Sequence, residues 1–187
     1  MSLLDVAFKK PKPITTSEWN DITHQDLVDK AKQFISKICY VTLTEIKVQN
    51  QIESPDVIGF QSYKSIVIEC KKSYQDFRQD KLKDHRANPA YGMGDTRFFF
   101  ALSGVIPTSE LPINWGLIEW YPEINQNCMK IVRPSGKFHP DKVREHMLLV
   151  TVITRIGESN KDEKIVLKDT YKDFIDMSTL LNLEPIV

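Results

Sequence analysis

The sequence predicts an α/β fold in which helices flank a central mixed β-sheet. Segments with helical spacing of apolar residues alternate with short strand-like segments, and one strand is apolar on both faces. The 187 residues suit one domain, and 41% apolar with 27% charged residues is typical of a globular chain. We expect residues 1–22 to form an N-terminal arm and 23–187 to form a single domain.

Helical periodicity first appears after Thr23, a candidate N-cap. Asp26 follows three residues later, close to a capping-box pattern, and apolar residues then recur on one helical face. Ser73 is a candidate cap for a polar helix, and Pro140 and Asp141 open a long one. The predicted helices are 23–38, 73–85, 141–155 and a closing helix at 171–181, so extra helices are expected at the C-terminal end.

Strand-like segments are rich in β-branched and aromatic residues and are bounded by turn residues. The predicted strands are 41–48, 54–60, 64–71, 97–102, 114–120 and 128–133. The run Ile66-Val67-Ile68 would place apolar side chains on both faces of its strand, which indicates a central strand covered by helices on both sides.

Charge and cysteine content exclude several classes of protein. The chain has 25 basic and 25 acidic residues, so a uniformly basic surface is excluded, although a local basic groove is not. Cys39, Cys70 and Cys128 form no CxxC pair, so neither a zinc ribbon nor a disulfide framework is indicated. No apolar stretch approaches the roughly 20 residues of a membrane span. We therefore expect a cytoplasmic protein with reduced thiols and no membrane partner.

A predicted hairpin brings together Asp56, Glu69 and Lys71. If its turn centres between Ser62 and Tyr63, paired residue numbers sum to 125, and Asp56 lies opposite Glu69. Directly opposed residues have Cβ atoms about 4.5–5.5 Å apart, and Lys71 projects from the same face as Glu69. A slip of one residue would destroy this arrangement.

Opposed carboxylates repel each other, and a divalent cation such as Mg²⁺ or Mn²⁺ would offset the repulsion. Glu45, on the face of the preceding strand shared with Val41 and Leu43, is a candidate third acid at the same centre. A nearby lysine can orient water or stabilise charge on a phosphate. The alternative is that these charged residues are simply solvated at strand ends.

Pro55-Asp56, a spacing of twelve residues and Glu69-Cys70-Lys71, followed by a helix, resemble the signature of the PD-(D/E)XK nuclease superfamily. The predicted order helix, three strands, helix, strand is also similar, and the resemblance covers about residues 24–120. It implies a restriction-endonuclease-like core. Asp56 and Glu69 match the metal-binding acids, Lys71 the lysine that aligns or activates water, and the carbonyl of Cys70 a further ligand. Glu45 matches an additional acid only loosely.

Residues near the triplet are candidates for binding nucleic acid. Between Lys64 and Arg86 there are seven basic side chains against four acidic ones, which is typical of a surface that contacts phosphates. A solvated helix of mixed charge is the alternative. The glycine-containing segment 88–96 either stacks a base or forms a turn into the next strand. The candidate binding residues are Lys72, Arg78, Lys81 and Tyr91.

These observations predict a magnesium-dependent phosphodiesterase acting on nucleic acid, with DNA as the expected substrate. Two alternatives stay open: an inactive nuclease-like module that binds nucleic acid or protein, and a subunit of a repair, restriction or phage-processing complex. Homodimerisation or partner binding is expected through the C-terminal helices. The resemblance extends to small bacterial and phage proteins, which implies the cytoplasm of a bacterial or phage-infected cell.

Overall fold

The computed structural model describes residues 21–47, 54–80, 89–122 and 128–159. Across these residues the chain forms a mixed α/β fold with a six-stranded central sheet and three α-helices. The strands are β1 (Val41–Thr44), β2 (Val57–Phe60), β3 (Ser65–Cys70), β4 (Thr96–Leu102), β5 (Gly116–Trp120) and β6 (Met129–Arg133). The helices are α1 (His24–Ile35), α2 (Tyr74–Asp80) and α3 (Lys142–Ser159), with 3-10 turns at Pro89–Tyr91 and Thr108–Glu110.

The strands lie in the sheet in the order in which they occur along the chain. β1, β2 and β3 are successively antiparallel, β3, β4 and β5 are parallel, and β6 returns antiparallel to β5. Parallel neighbours need a crossover connection, and α2 lies in the connection from β3 to β4. The predicted mixed sheet is therefore confirmed; β4 begins one residue before the predicted 97, and the other five strands are shorter than predicted.

Helix α1 begins with the predicted capping box. The Thr23 hydroxyl accepts a hydrogen bond from the Asp26 N–H at 3.1 Å, and the Asp26 carboxylate accepts one from the Thr23 N–H at 2.7 Å. The helix ends at Ile35, earlier than the predicted Ile38, although Ile38 is itself buried. Its apolar face covers one side of the sheet through Leu27, Val28, Ala31, Phe34 and Ile35.

Helices α2 and α3 cover the opposite face of the sheet. Phe77 of α2 packs edge-on against Phe99, with ring centroids 5.0 Å apart, and Phe99 is the register partner of Glu69 in β3. Leu148 of α3 packs in a cluster that includes Val67. Since alternate residues of a strand face opposite sides, Glu69 shares the α2–α3 face with Val67.

Strand β3 is buried along its whole length, as predicted for a central strand. The apolar side chains of Ile66, Ile68 and Cys70 join the core under α1, whereas Val67 joins the cluster under α3. Glu69 is thus a carboxylate within an otherwise apolar segment that is enclosed on both faces.

Strand β1 is shorter than predicted. It ends at Thr44 rather than at the predicted Val48, because Glu45 adopts a left-handed backbone conformation with φ of 50°. The turn re-aims the chain, so Glu45 does not share the strand face of Val41 and Leu43, which corrects the prediction. The Glu45 N–H donates a hydrogen bond to the backbone carbonyl of Asp56 at 3.0 Å.

A network that we call the latch joins α3 to the amino ends of β3 and β4. Its members are Ser65, Asp95, Lys142 and Glu145. The Ser65 hydroxyl donates to Glu145 at 2.6 Å, and the Lys142 ammonium donates to Asp95 at 2.6 Å and to Glu145 at 2.9 Å. The N–H of Gly94 also donates to Glu145, at 2.9 Å. The latch therefore fixes the start of α3 against the sheet.

The glycine-containing segment before β4 forms a tight structural turn. Gly94 has a φ of 88°, and a Cβ there would lie 2.9 Å from the Val67 side chain. The fully buried Arg97 donates to the carbonyls of Gly92 and Gly94 and stacks on Phe138 at 4.2 Å. The packing of this turn is therefore sufficient to explain why glycine occupies positions 92 and 94.

Helix α3 exposes apolar side chains on the surface that faces away from the sheet. They are Val143, Met147, Val150 and Ile153. Partner binding through the C-terminal helices stays a prediction. Within the described ranges, none of the helices combines the length and the apolar character that crossing a membrane requires. The predicted arm up to residue 20, the extension of α2 through residues 81–85 and the closing helix at 171–181 lie outside the described residues.

Candidate functional site

The β2–β3 hairpin places Asp56 beside the carboxyl end of β3. Val57 pairs with Ile68 and Phe60 with Ser65, so the predicted pairing with residue numbers summing to 125 is confirmed. Asp56 immediately precedes β2, and its Oδ2 accepts a hydrogen bond from the N–H of Cys70 at 2.7 Å. This bond aims the Asp56 side chain at the end of β3, where Glu69 lies.

Lys71 completes the predicted triplet. Its Nζ lies 3.5 Å from Glu69 Oε2 and 3.0 Å from Asp80 Oδ1, and all three side chains are at most 5% exposed. A buried ammonium between two carboxylates is attracted by both, and removing the ammonium would leave two carboxylates uncompensated in a medium of low polarity. The structure therefore brings Asp56, Glu69 and Lys71 together, as the sequence predicts.

The electrostatics of the site reflect an excess of negative charge. Burial and the neighbouring charge of Glu69 raise the pKa of Asp56 to about 6, although the Cys70 N–H, Lys71 and His24 act to lower it. Burial alone would lower the pKa of Lys71, but the charges of Glu69 and Asp80 raise it above its ordinary value. Asp56 is thus a carboxyl group that ionises at a cost near neutral pH.

The side chain and the backbone of Cys70 lie in different surroundings. Its side chain is fully buried in the core on the α1 side, opposite to Glu69, as predicted. In an extended strand the N–H and C=O of one residue point to the same side. Because the Cys70 N–H donates to Asp56, its carbonyl also faces the side on which Asp56 lies.

His24 and Asp80 join the site although sequence reasoning did not select them. His24 Nε2 lies 3.5 Å from Asp56 Oδ1, and His24 is the first residue of α1. The capping box could have located the start of α1, but nothing in the sequence shows which strand end it meets. The sequence points less clearly to Asp80 than to the start of α1, because Asp80 is one of several acids on a polar helix.

Glu45 occupies a different position from the one predicted. Its backbone lies next to Asp56, but its side chain is exposed. Burial chiefly raises the pKa of the Cys70 thiol, and the charge of Glu45 adds a minor effect. It therefore lies at the rim of the site rather than among apolar neighbours.

The predicted nucleic-acid residues divide into two groups. Lys72 and Arg78 are exposed on the segment that follows Lys71. Hydrogen bonds from Thr23 lower the pKa of Asp26 on α1, and the charge of Lys72 adds a smaller effect. Tyr91 is exposed but lies beside the latch, at the amino ends of β3 and β4, whereas Glu69 lies near the carboxyl end of β3. Tyr91 therefore does not adjoin the triplet, which corrects the expectation that it is a binding residue near Asp56, Glu69 and Lys71. Lys81 lies outside the described residues.

The donor set for a cation consists of two carboxylates and a carbonyl. In the part of the chain that the structure describes, no three side chains of His, Cys, Asp or Glu are grouped so as to hold a metal ion. Asp56, Glu69 and the Cys70 carbonyl are the groups that could bind one. Mg²⁺ is commonly bound through one or two carboxylates, with waters and substrate phosphates completing its octahedron, so this set fits that ion.

The comparisons with known proteins bear on the fold of the chain and not on its function. No family model matches the chain, and no curated protein matches it. The solved structure of the SPO1766 protein of unknown function from Silicibacter pomeroyi is similar, with a TM-score of 0.54 and 20% sequence identity. The match covers 78% of this chain and 98% of that one. At this identity the similarity concerns the fold alone.

Proposed function

We propose that this protein is a metal-dependent phosphodiesterase that hydrolyses nucleic acid, with DNA as the expected substrate. The observation that carries the proposal is the convergence of Asp56, Glu69 and Lys71 at the end of the β2–β3 hairpin. The order α1, β1, β2, β3, α2, β4 agrees with the restriction-endonuclease-like core that the resemblance implies. The proposal extends to membership of the PD-(D/E)XK superfamily.

The charge balance supports a divalent cation. Asp56, Glu69 and Asp80 carry three negative charges when ionised, and Lys71 carries one positive charge, so these four side chains sum to −2. The charge of Glu69 acts against the ionisation of Asp56, and a bound Mg²⁺ or Mn²⁺ would reduce this repulsion. When bound, the cation would polarise a phosphate and lower the pKa of a water molecule.

The protein side chains would then position the reactants. The Lys71 ammonium, fixed near Glu69, can orient the attacking water or stabilise negative charge that develops on the phosphate. Glu69 and Lys71 are enclosed, whereas the Asp56 side chain is 19% exposed and that of His24 is 42% exposed. A phosphodiester would therefore approach from the Asp56 side, next to the exposed Lys72.

A second candidate function is a nuclease-like module that binds nucleic acid or protein without cutting. The observation that favours it is the burial of Lys71, which is 4% exposed and pairs with Asp80 at 3.0 Å. A lysine held in this way contributes to catalysis only if substrate or metal reaches Glu69.

A cleavage assay with matched variants distinguishes the two functions. Labelled single- and double-stranded DNA and RNA are incubated with Mg²⁺, with Mn²⁺ or with chelator. We expect wild-type protein to cleave DNA only with metal, and Asp56→Asn and Lys71→Met to lower the rate by about 100-fold or more. Asp29→Asn and Lys37→Met remove equal charges from exposed positions and should retain the wild-type rate.

Metal-dependent cleavage that survives both site variants would contradict the mechanism. Binding of an oligonucleotide without cleavage under every metal condition would support the binding module instead.

A further inference from the structure

Asp80 is the closer of the two carboxylates that pair with Lys71. Its Oδ1 lies 3.0 Å from Lys71 Nζ, against 3.5 Å for Glu69 Oε2. The Asp80 side chain is 1% exposed and lies on α2. The proposed function, as inferred from the sequence, assigns no role to Asp80.

The position of Asp80 is unfavourable for a carboxylate that serves only to stabilise the fold. Burial removes the hydration of the charge, and a well-packed apolar pair in place of a buried ion pair is often as stable or more so. Burying Asp80 is therefore costly, and its pairing with Lys71 supplies a reason to keep an acid at this position.

The scaffold fixes Asp80 relative to Glu69. Helix α2 is anchored by Phe77, which packs on Phe99, and Phe99 pairs in register with Glu69. Lysine has a flexible four-carbon side chain, so a single carboxylate does not fix its ammonium group. With anchors from β3 and α2, the Lys71 ammonium is held on the α2 side of Glu69.

We propose that Asp80 is a positioning residue that keeps the Lys71 ammonium beside Glu69 and away from the space between Glu69 and Asp56. This inference rests on the proposed function, in which that space receives the cation. Without Asp80, Lys71 is drawn toward the two remaining carboxylates and competes with the cation for them. Asp80 thus preserves metal affinity although it is not a ligand.

A double-mutant cycle separates this role from a general effect of charge. Mn²⁺ affinity is measured by calorimetry for wild type, Asp80→Asn, Lys71→Met and the double variant. We expect Asp80→Asn to weaken Mn²⁺ binding by about 10-fold. This is the lower end of the loss in affinity that follows mutation of residues that support metal ligands. In the Lys71→Met background, Asp80→Asn should have no further effect. Asp76→Asn, on the same helix, is the control for loss of one negative charge.

An equal loss of affinity in both backgrounds, or no loss in Asp80→Asn, would overturn the inference. Should wild type bind no metal, the proposed function fails, and acylation of Lys71 monitored by mass spectrometry tests the positioning role alone. Faster labelling in Asp80→Asn than in wild type supports the role, and equal labelling overturns it. If Asp80→Asn does not fold, Asp80→Glu keeps the charge but displaces it, and the same shifts are expected to be smaller.

Discussion

Strand β3 has a cluster of charged side chains at each end, and the two clusters are balanced differently. In the latch, the two carboxylates of Asp95 and Glu145 accept hydrogen bonds from the Lys142 ammonium, the Ser65 hydroxyl and backbone N–H groups. At the opposite end, Asp56 accepts a backbone hydrogen bond at 2.7 Å and lies beside a second buried carboxylate. The latch therefore surrounds its acids with hydrogen-bond donors, whereas the site places Asp56 beside the like charge of Glu69.

The pKa shifts of two aspartates express this difference. For Asp95, burial acts to raise the pKa, but the hydrogen bonds from Lys142 and Ser65 outweigh it, so the pKa is lowered. For Asp56, burial and the charge of Glu69 dominate, and the pKa is raised to about 6. Perturbations of the second kind are typical of sites adapted to bind or react rather than to stabilise.

The largest expected effect comes from breaking the latch. Glu145→Ala leaves the Gly94 N–H without its acceptor and removes one of two acceptors from the buried Ser65 hydroxyl and the Lys142 ammonium, which both also reach Asp95. Buried donors left without an acceptor are costly, so we expect the free energy of unfolding to fall by about 3 kcal/mol. Urea unfolding of Glu145→Ala and of Glu110→Ala, a less buried control, checks this. Loss of less than about 1 kcal/mol would contradict the structural role of the latch.

At the candidate site, a substitution is expected to raise the free energy of unfolding at alkaline pH rather than lower it. Because the folded pKa of Asp56 is raised from 3.8 to about 6, the folded state retains this proton longer than the unfolded state. The associated stability is fully present below about pH 3.8 and is lost as the pH rises through about 6. Asp56→Asn should therefore be more stable than wild type at pH 8, by as much as about 3 kcal/mol, and about equal at pH 4.

Denaturation of wild type and Asp56→Asn across pH 4–8 measures this difference. A variant that is less stable than wild type at pH 8 would show that Asp56 is a structural acid like those of the latch.

A smaller effect is expected at Asp95, the partly exposed acid of the latch. Its lowered pKa means that its contribution to stability is present above the unfolded pKa of 3.8 and is lost as the pH falls through the folded value. Asp95→Asn should cost about 1 kcal/mol at pH 7, since the exposed Lys142 is screened by solvent. The difference from wild type should shrink at acid pH and at high salt. A difference that is constant with pH would contradict the assignment.

The part of the site that depends on the pairing of neighbouring strands could be predicted from the sequence. The position of the turn at Ser62 and Tyr63 determined the register of β2 and β3, and with it the approach of Asp56 to Glu69. The capping box likewise predicted the start of α1. Such features depend on residues close in sequence, for which turn and helix chemistry are sufficient.

The remaining features depend on tertiary contacts. The left-handed backbone of Glu45, the approach of His24 to Asp56 and the placement of Asp80 beside Lys71 follow from how helices meet strand ends. The latch joins Ser65 to Glu145 across 80 positions of sequence. No periodicity or local spacing encodes these contacts, so reasoning from the sequence did not identify them.

Calorimetric titration with Mn²⁺ at pH 8, on wild type and on Asp56→Asn, tests most directly whether the acidic end of β3 binds a cation. We predict that wild type binds one ion per chain and that Asp56→Asn binds it far more weakly, although the variant is the more stable protein at this pH. Equal affinity in the two proteins, or no binding to wild type, would contradict the proposed site.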